Sequence, residues 1–378
     1  MRRIAALLFA LGGVAIAPCG RAGASVTIGI PSLNLYAGWL DVNDAGNGGG
    51  LMKMERGYNS TTTFSGLFGY GWGTWEDQSL QMRADGQLQY EAFGGGSKTV
   101  LGSARFVDAA DPVPELLGAA HQAQMVGSDA EEQRFRDDMR RNATDALNQY
   151  EAFLKSGMLA PKDVSFDEVF QGHSAGVTWA RVVRVPEGYQ LTWIPDFACT
   201  GCSGFEGIFN LRGHIVRSWL PNKPQEYVAY TYDDNDRLKT MQDGHNKRYS
   251  FTYDAAGHVA RLETSASASI VYTYKSYPDQ SADLISVRYA NGNTLQYAYD
   301  SNHDLTEIGY PDKTTLRATY VGGAGNVATV VCPDGTKYTF ERSKDAKPVV
   351  TMTAVSPAGV TSAARFDPDH HKPQLLCK

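Results

Sequence analysis

Short runs of alternating apolar and polar positions fill residues 227–340. Each run closes on an aromatic residue, commonly followed by Asp, then a polar or glycine turn and an apolar residue. Tyr230-Thr231-Tyr232-Asp233 leads to Leu238, and Tyr249-Ser250-Phe251-Thr252-Tyr253-Asp254 leads through Gly257 to Val259. Tyr272-Thr273-Tyr274 leads to Leu284, Tyr297-Ala298-Tyr299-Asp300 to Leu305, and Ala318-Thr319-Tyr320 through Gly325 to Val327. Tyr338-Thr339-Phe340-Glu341 closes the series. The closing aromatics at 232, 253, 274, 299, 320 and 340 stand 21, 21, 25, 21 and 20 residues apart. Alternation at period two predicts strands, because successive side chains on a strand face opposite ways. The Asp-Gly, Asn-Gly and Pro-Asp-Gly turns supply the positive backbone angles that hairpins need. A fixed period of this length predicts an array of hairpins, each burying its apolar face only against its neighbours.

Strand patterning also covers 26–39, 80–92 and 177–215, and fades after Phe340. Residues 108–170 break the rhythm: Phe135, Met139, Ala143, Leu147, Tyr150 and Leu154 recur at helical spacing. Ser128 with Glu131 three residues on is a capping-box start, and Gly157 a helix stop. The pattern predicts two helices, 112–126 and 128–157, with Glu132, Arg136, Arg140 and Arg141 on a solvated face.

The Tyr-Asp closings at Tyr232-Asp233, Tyr253-Asp254 and Tyr299-Asp300 resemble the YD repeats of the Rhs family. Upstream, Arg56-Gly57-Tyr58-Asn59-Ser60 and Gly66-Leu67-Phe68-Gly69-Tyr70-Gly71-Trp72 resemble the segment that opens the repeat shell in Rhs proteins. The resemblance implies a mainly β fold, an array of β-hairpin YD repeats forming a curved or spiralling partial shell, here with a two-helix insertion. The repeat-defining residues are Tyr232, Asp233, Tyr253, Asp254, Tyr274, Tyr299, Asp300, Tyr320 and Phe340. In that family long arrays enclose a C-terminal toxin that is released at an acidic motif past the repeats. No counterpart to that motif follows Phe340, so cargo carrying is not carried over. The expected organisation is a signal peptide (1–24), a β region resembling the shell opening (25–107), the helical insertion (108–172), a β region with Cys-x-x-Cys (173–226), the array (227–345) and a tail (346–378).

Met1-Arg2-Arg3 before the apolar run 4–17, with Ala22-Gly23-Ala24 behind it, reads as an export signal too short to span a bilayer. Pro18 fits poorly before a lipidation site at Cys19. The chain therefore reads as exported, to the periplasm or beyond, with no membrane span after cleavage. Its net charge of −6 falls to about −9 without Arg2, Arg3 and Arg21, which argues against nucleic acid as a partner. Export favours disulfides among Cys199, Cys202, Cys332 and Cys377. Three connectivities are open, the simplest joining Cys199 to Cys202 and Cys332 to Cys377. Cys199-Thr200-Gly201-Cys202 also admits a redox pair or half a metal knuckle, although no helical pattern follows to stabilise a thiolate.

Catalytic signatures are sparse. His173, His214, His245, His258, His303, His370 and His371 mostly fall in turns, without the spacing of a metal-binding helix. There is no Gly-x-Ser-x-Gly elbow. Asp233-Asp234-Asn235-Asp236 invites calcium, but the twelfth position counted from Asp233 or Asp234 is Gly244 or His245 rather than Glu. No catalytic, cofactor or metal residue is assigned. The sequence thus reads as a non-enzymatic, exported YD-repeat protein acting by binding. Its partner would be a protein or surface carbohydrate, in cell-surface interaction or contact-dependent competition. Two alternatives stand beside it: an immunity or accessory protein for an Rhs-type toxin, and an envelope thiol oxidoreductase or hydrolase.

Overall fold

A computed structural model describes residues 24–29, 32–43, 52–92, 98–103, 111–160, 162, 164–174, 178–195, 204–221, 223–279, 281–344 and 348–366. The expected signal segment before Ala24, Cys199, Cys202, Cys377 and the end of the tail lie outside the described residues. The chain divides into two compact units, one of residues 1–78, 92–97 and 222–378, the other of 79–91 and 98–221.

In the first unit the alternating runs are antiparallel strands: Lys223–Tyr232, Leu238–Asp243, Arg248–Tyr253, Val259–Thr264, Ser269–Ser276, Ala282–Arg288, Thr294–Tyr299, Leu305–Gly309, Thr315–Val321, Asn326–Val331 and Lys337–Arg342. Two more, Val350–Val355 and Thr361–Phe366, continue the ladder beyond Phe340. Among the described residues no ladder joins the first strand of the array to the last. The register slips one residue before each closing tyrosine: between Thr231 and Tyr232, Thr252 and Tyr253, Thr273 and Tyr274, Ala298 and Tyr299, and Thr319 and Tyr320. Such bulges re-aim a side chain and release backbone groups from the ladder. Phe340 pairs with Met352 without a slip.

The opening part of this unit comprises Ala24–Gly29, Asn34–Asn43, Lys53–Asn59 and Trp72–Thr74, paired antiparallel in sequence order. Trp39, Met54, Tyr58, Phe68 and Trp72 from this segment are buried with Tyr249, Tyr272, Tyr297 and Leu305 of the array. The inward row of the array therefore packs on residues of its own chain.

The second unit contains an antiparallel meander in which Val169–Ser174, Thr178–Val185, Gly188–Pro195 and Phe205–Phe209 pair in order. It also holds three helices: α1 (Val113–Gln122), α2 (Asp129–Arg141) and α3 (Ala143–Lys155). The expected second helix is thus two, because Asn142 is extended (φ −132°, ψ 104°) and ends α2. Ser128 Oγ accepts from Glu131 N at 3.4 Å, and Gly157 takes a left-handed φ of 74° after α3, as the capping residues predict. α2 buries no residue completely, and its polar face carries Arg136–Glu132 and Arg140–Asp111 ion pairs. Leu116, Ala120, Tyr150 and Phe153 of α1 and α3 close a small core with Ala84.

Candidate functional site

The two letters of the repeat have separate physical duties. Tyr253, Tyr274, Tyr299 and Tyr320 each donate a phenolic hydrogen bond to a carbonyl 15 residues back, at Leu238 (2.5 Å), Val259 (2.8 Å), Leu284 (2.9 Å) and Leu305 (2.7 Å). These acceptors are the apolar residues after each turn, the strand partners of the preceding tyrosine. Each tyrosine therefore staples its hairpin to the one before. Burial raises the phenol pKa at Tyr253, Tyr274, Tyr299 and Tyr320, and also at Tyr232, so all five remain protonated. Phe340 has no hydroxyl and no bulge, and the staple stops there.

The aspartates cap the turns. Asp233 Oδ1 accepts from Asn235 N and Arg237 N, both at 2.9 Å. Asp254 Oδ1 does the same for Ala256 N (3.0 Å) and His258 N (2.9 Å), and Asp300 for Asn302 N (2.8 Å) and Asp304 N (3.1 Å). This is turn chemistry rather than metal ligation. Among the described residues no group of three or more His, Cys, Asp or Glu could hold a metal ion.

The bulges free backbone N–H groups just after the turns, and the opening segment accepts them. Val259 N donates to Leu67 O at 3.0 Å, Leu305 N to Tyr58 Oη at 2.9 Å and Val327 N to Leu33 O at 2.8 Å. Ser60 Oγ donates to Gly325 O at 2.6 Å, and Trp72 Nε1 to Tyr299 Oη at 2.8 Å. Two glycines are fixed by this closeness. A Cβ on Gly325 would lie 1.7 Å from Ser60 O, and one on Gly69 2.5 Å from Ala282 O, both at positive φ.

At the centre Arg56 and Asp41 form an ion pair with both side chains at 0 % exposure, Nε to Oδ2 2.7 Å. Tyr272 and Tyr289 donate to Asp41 Oδ2 and Oδ1 at 2.9 and 2.7 Å. Arg56 Nη2 donates to Tyr297 Oη at 3.0 Å, and its guanidinium lies 4.8 Å from the Trp72 ring centroid and 5.2 Å from that of Trp39. Burial, the largest single influence, works against the arginine charge, but Asp41 together with Tyr297 and Tyr289 outweighs it and holds the pKa above the ordinary arginine range. Both charges are answered by partners inside the fold, so this node clamps the opening segment to the array. Arg56 and Tyr58 belong to the motif the sequence singles out. Asp41 carries no such signal, because its partners lie as far away as Tyr289 in the chain.

The tyrosines and tryptophans whose side chains are described are buried or half-buried. Of the candidate disulfide cysteines, Cys332 alone lies among the described residues, and it is buried.

Residues 250–362 match the family model described as teneurin YD-shell. No curated protein matches the chain. Among solved structures, a TcdB2–TccC3 protein lacking its hypervariable C-terminal region is similar over 91 % of this chain and 21 % of its own, at 11 % identity and TM-score 0.34. A porin-like protein from Bacteroides uniformis is similar over 53 % of this chain and 91 % of its own, at 9 % identity and TM-score 0.28. The chain thus spans about a fifth of the length of the TcdB2–TccC3 structure it resembles.

Proposed function

From the premise that the chain belongs to the Rhs/YD-repeat family, we propose that it is an exported protein that binds an acidic protein surface in bacterial cell-surface interaction or contact-dependent competition. The observation that carries this reading is the outward row of the array. Lys239, Arg248, Arg261, Lys275, Arg288 and Arg317 are exposed on its strands, whereas the exposed strand acids are Glu263 and Glu341. Of these bases, Arg261 reaches Glu263 at 3.7 Å and Arg317 reaches Glu307 at 2.8 Å. The inward row is taken up by the opening segment, which leaves this basic row for a partner. Its sign is opposite to that of the chain as a whole, and complementary charge steers association and selects partners.

Export to an oxidising compartment would place Cys332, which is buried, in a disulfide. Pairing with Cys377 is the simplest arrangement. An Rhs-type toxin would be such a partner if it presents an acidic surface.

The test uses the chain from Ser25 onward as bait against proteins of its own locus and against surface glycans. The reading expects one protein to bind, with affinity that falls as salt rises. Arg261→Glu/Arg288→Glu/Arg317→Glu should abolish that binding while leaving the melting temperature in place. Glycan binding alone, or protein binding indifferent to the charge reversal, would remove the proposal.

A further inference from the structure

The array contains an ordered Ser–His–Asp set that the binding role does not use. His303 stands among the turn histidines in the sequence, at a left-handed position (φ 65°) where a sister turn has Gly257. Its Nδ1 lies 2.9 Å from Asp283 Oδ1, and its Nε2 3.5 Å from Ser281 Oγ. Asp283 is 1 % exposed at its side chain against 17 % for His303, so the carboxylate is sealed and the imidazole edge is reachable. Tyr277 donates to the other Asp283 oxygen at 2.6 Å. The rings of Tyr70 and Tyr277 flank the imidazole, each with its centroid 4.8 Å away. A carboxylate only accepts, so Nδ1 carries the proton and Nε2 presents its lone pair towards Ser281. Asp279 competes for the serine, accepting from Ser281 Oγ at 2.7 Å.

We propose that Ser281, His303 and Asp283 form a nucleophilic site that accepts acyl groups from activated esters, a chemical capacity beyond partner binding. Ser281 Oγ bonds to the carbonyl carbon, its proton passes to His303 Nε2, and the bond to the leaving alcohol oxygen breaks as Nε2 returns the proton to it. Water then repeats the sequence and releases the acid. Ser281 and His303 are the catalytic residues. Asp283 is a positioning residue, which fixes the tautomer and stabilises the imidazolium. The long Oγ to Nε2 distance is of the kind that tightens when substrate arrives.

The experiment treats the full chain with a fluorophosphonate probe, for which Oγ–P forms, P–F breaks and fluoride leaves. Peptide mass mapping then locates the label. The expected result is label on Ser281, lost in Ser281→Ala and at least about 100-fold slower in His303→Asn, since Asn tolerates the left-handed backbone. Asp283→Asn should slow labelling, because Nδ1 loses the carboxylate that fixes its tautomer, and Asp283→Glu should restore part of the rate. Asp279→Ala should speed labelling by freeing the hydroxyl. An unlabelled Ser281 in folded protein overturns the proposal, as does labelling at equal rate in a folded His303→Asn. If that variant does not fold, Asp279→Ala decides, and a labelling rate no faster than wild type overturns it.

Discussion

Removing the charge of Arg56 is the sharpest perturbation of the clamp. Arg56→Met keeps much of the side-chain volume between Trp39 and Trp72 but leaves the Asp41 carboxylate at 0 % exposure with only the hydroxyls of Tyr272 and Tyr289 as donors. Breaking a buried pair in this way costs about 3–5 kcal/mol, because the remaining charge is uncompensated. Asp41→Leu alone should cost a similar amount by stranding the guanidinium. The double variant Arg56→Met/Asp41→Leu removes both charges. It leaves three tyrosine hydroxyls with a lost partner, at roughly 1 kcal/mol each. Its total of about 3 kcal/mol lies well below the sum of the singles, giving a coupling of about 3 kcal/mol or more. Urea unfolding followed by tryptophan fluorescence measures all three. Single variants costing under about 1 kcal/mol, with additive effects, would refute the clamp.

The tyrosine staples and their neighbours give further expectations. Tyr274→Phe leaves the Val259 carbonyl without its phenol donor and should cost about 1–3 kcal/mol in denaturant unfolding, whereas Phe340→Tyr should gain nothing. Gly325→Ala drives a methyl into Ser60 O at a backbone angle alanine resists (φ 67°), and should cost at least about 2 kcal/mol by thermal melting. Burial pushes the Glu76 carboxyl up to about 8. The folded state therefore binds its proton more tightly than the unfolded chain, and stability falls as pH rises from about 4.5 towards 8. Melting curves of Glu76→Gln should become progressively more favourable relative to wild type across that window.

Much of the array was readable because its signals are local. Alternation sets the inward row, and Asp at the turn caps N–H groups two and four residues on. Gly71 and Gly325 stand where a side chain would strike a neighbour. The tyrosine's duty was not readable, because its acceptor lies 15 residues back on another hairpin. Asp41 and His303 were missed for the same reason: an isolated polar residue gains meaning only from partners that the fold brings near. The helical spacing through 128–157 ran on across Asn142, where one extended residue divides the helix without disturbing the period.

The central claim is that the array is organised around its own opening segment. Hydrogen exchange at Val259, Leu305 and Val327 tests it most directly, because these amides donate to Leu67, Tyr58 and Leu33 rather than to a neighbouring strand. If the opening segment fills the inward row, all three should exchange only through global unfolding and lose protection together in Arg56→Met. Fast exchange at the three amides while the flanking ladder stays protected would contradict it.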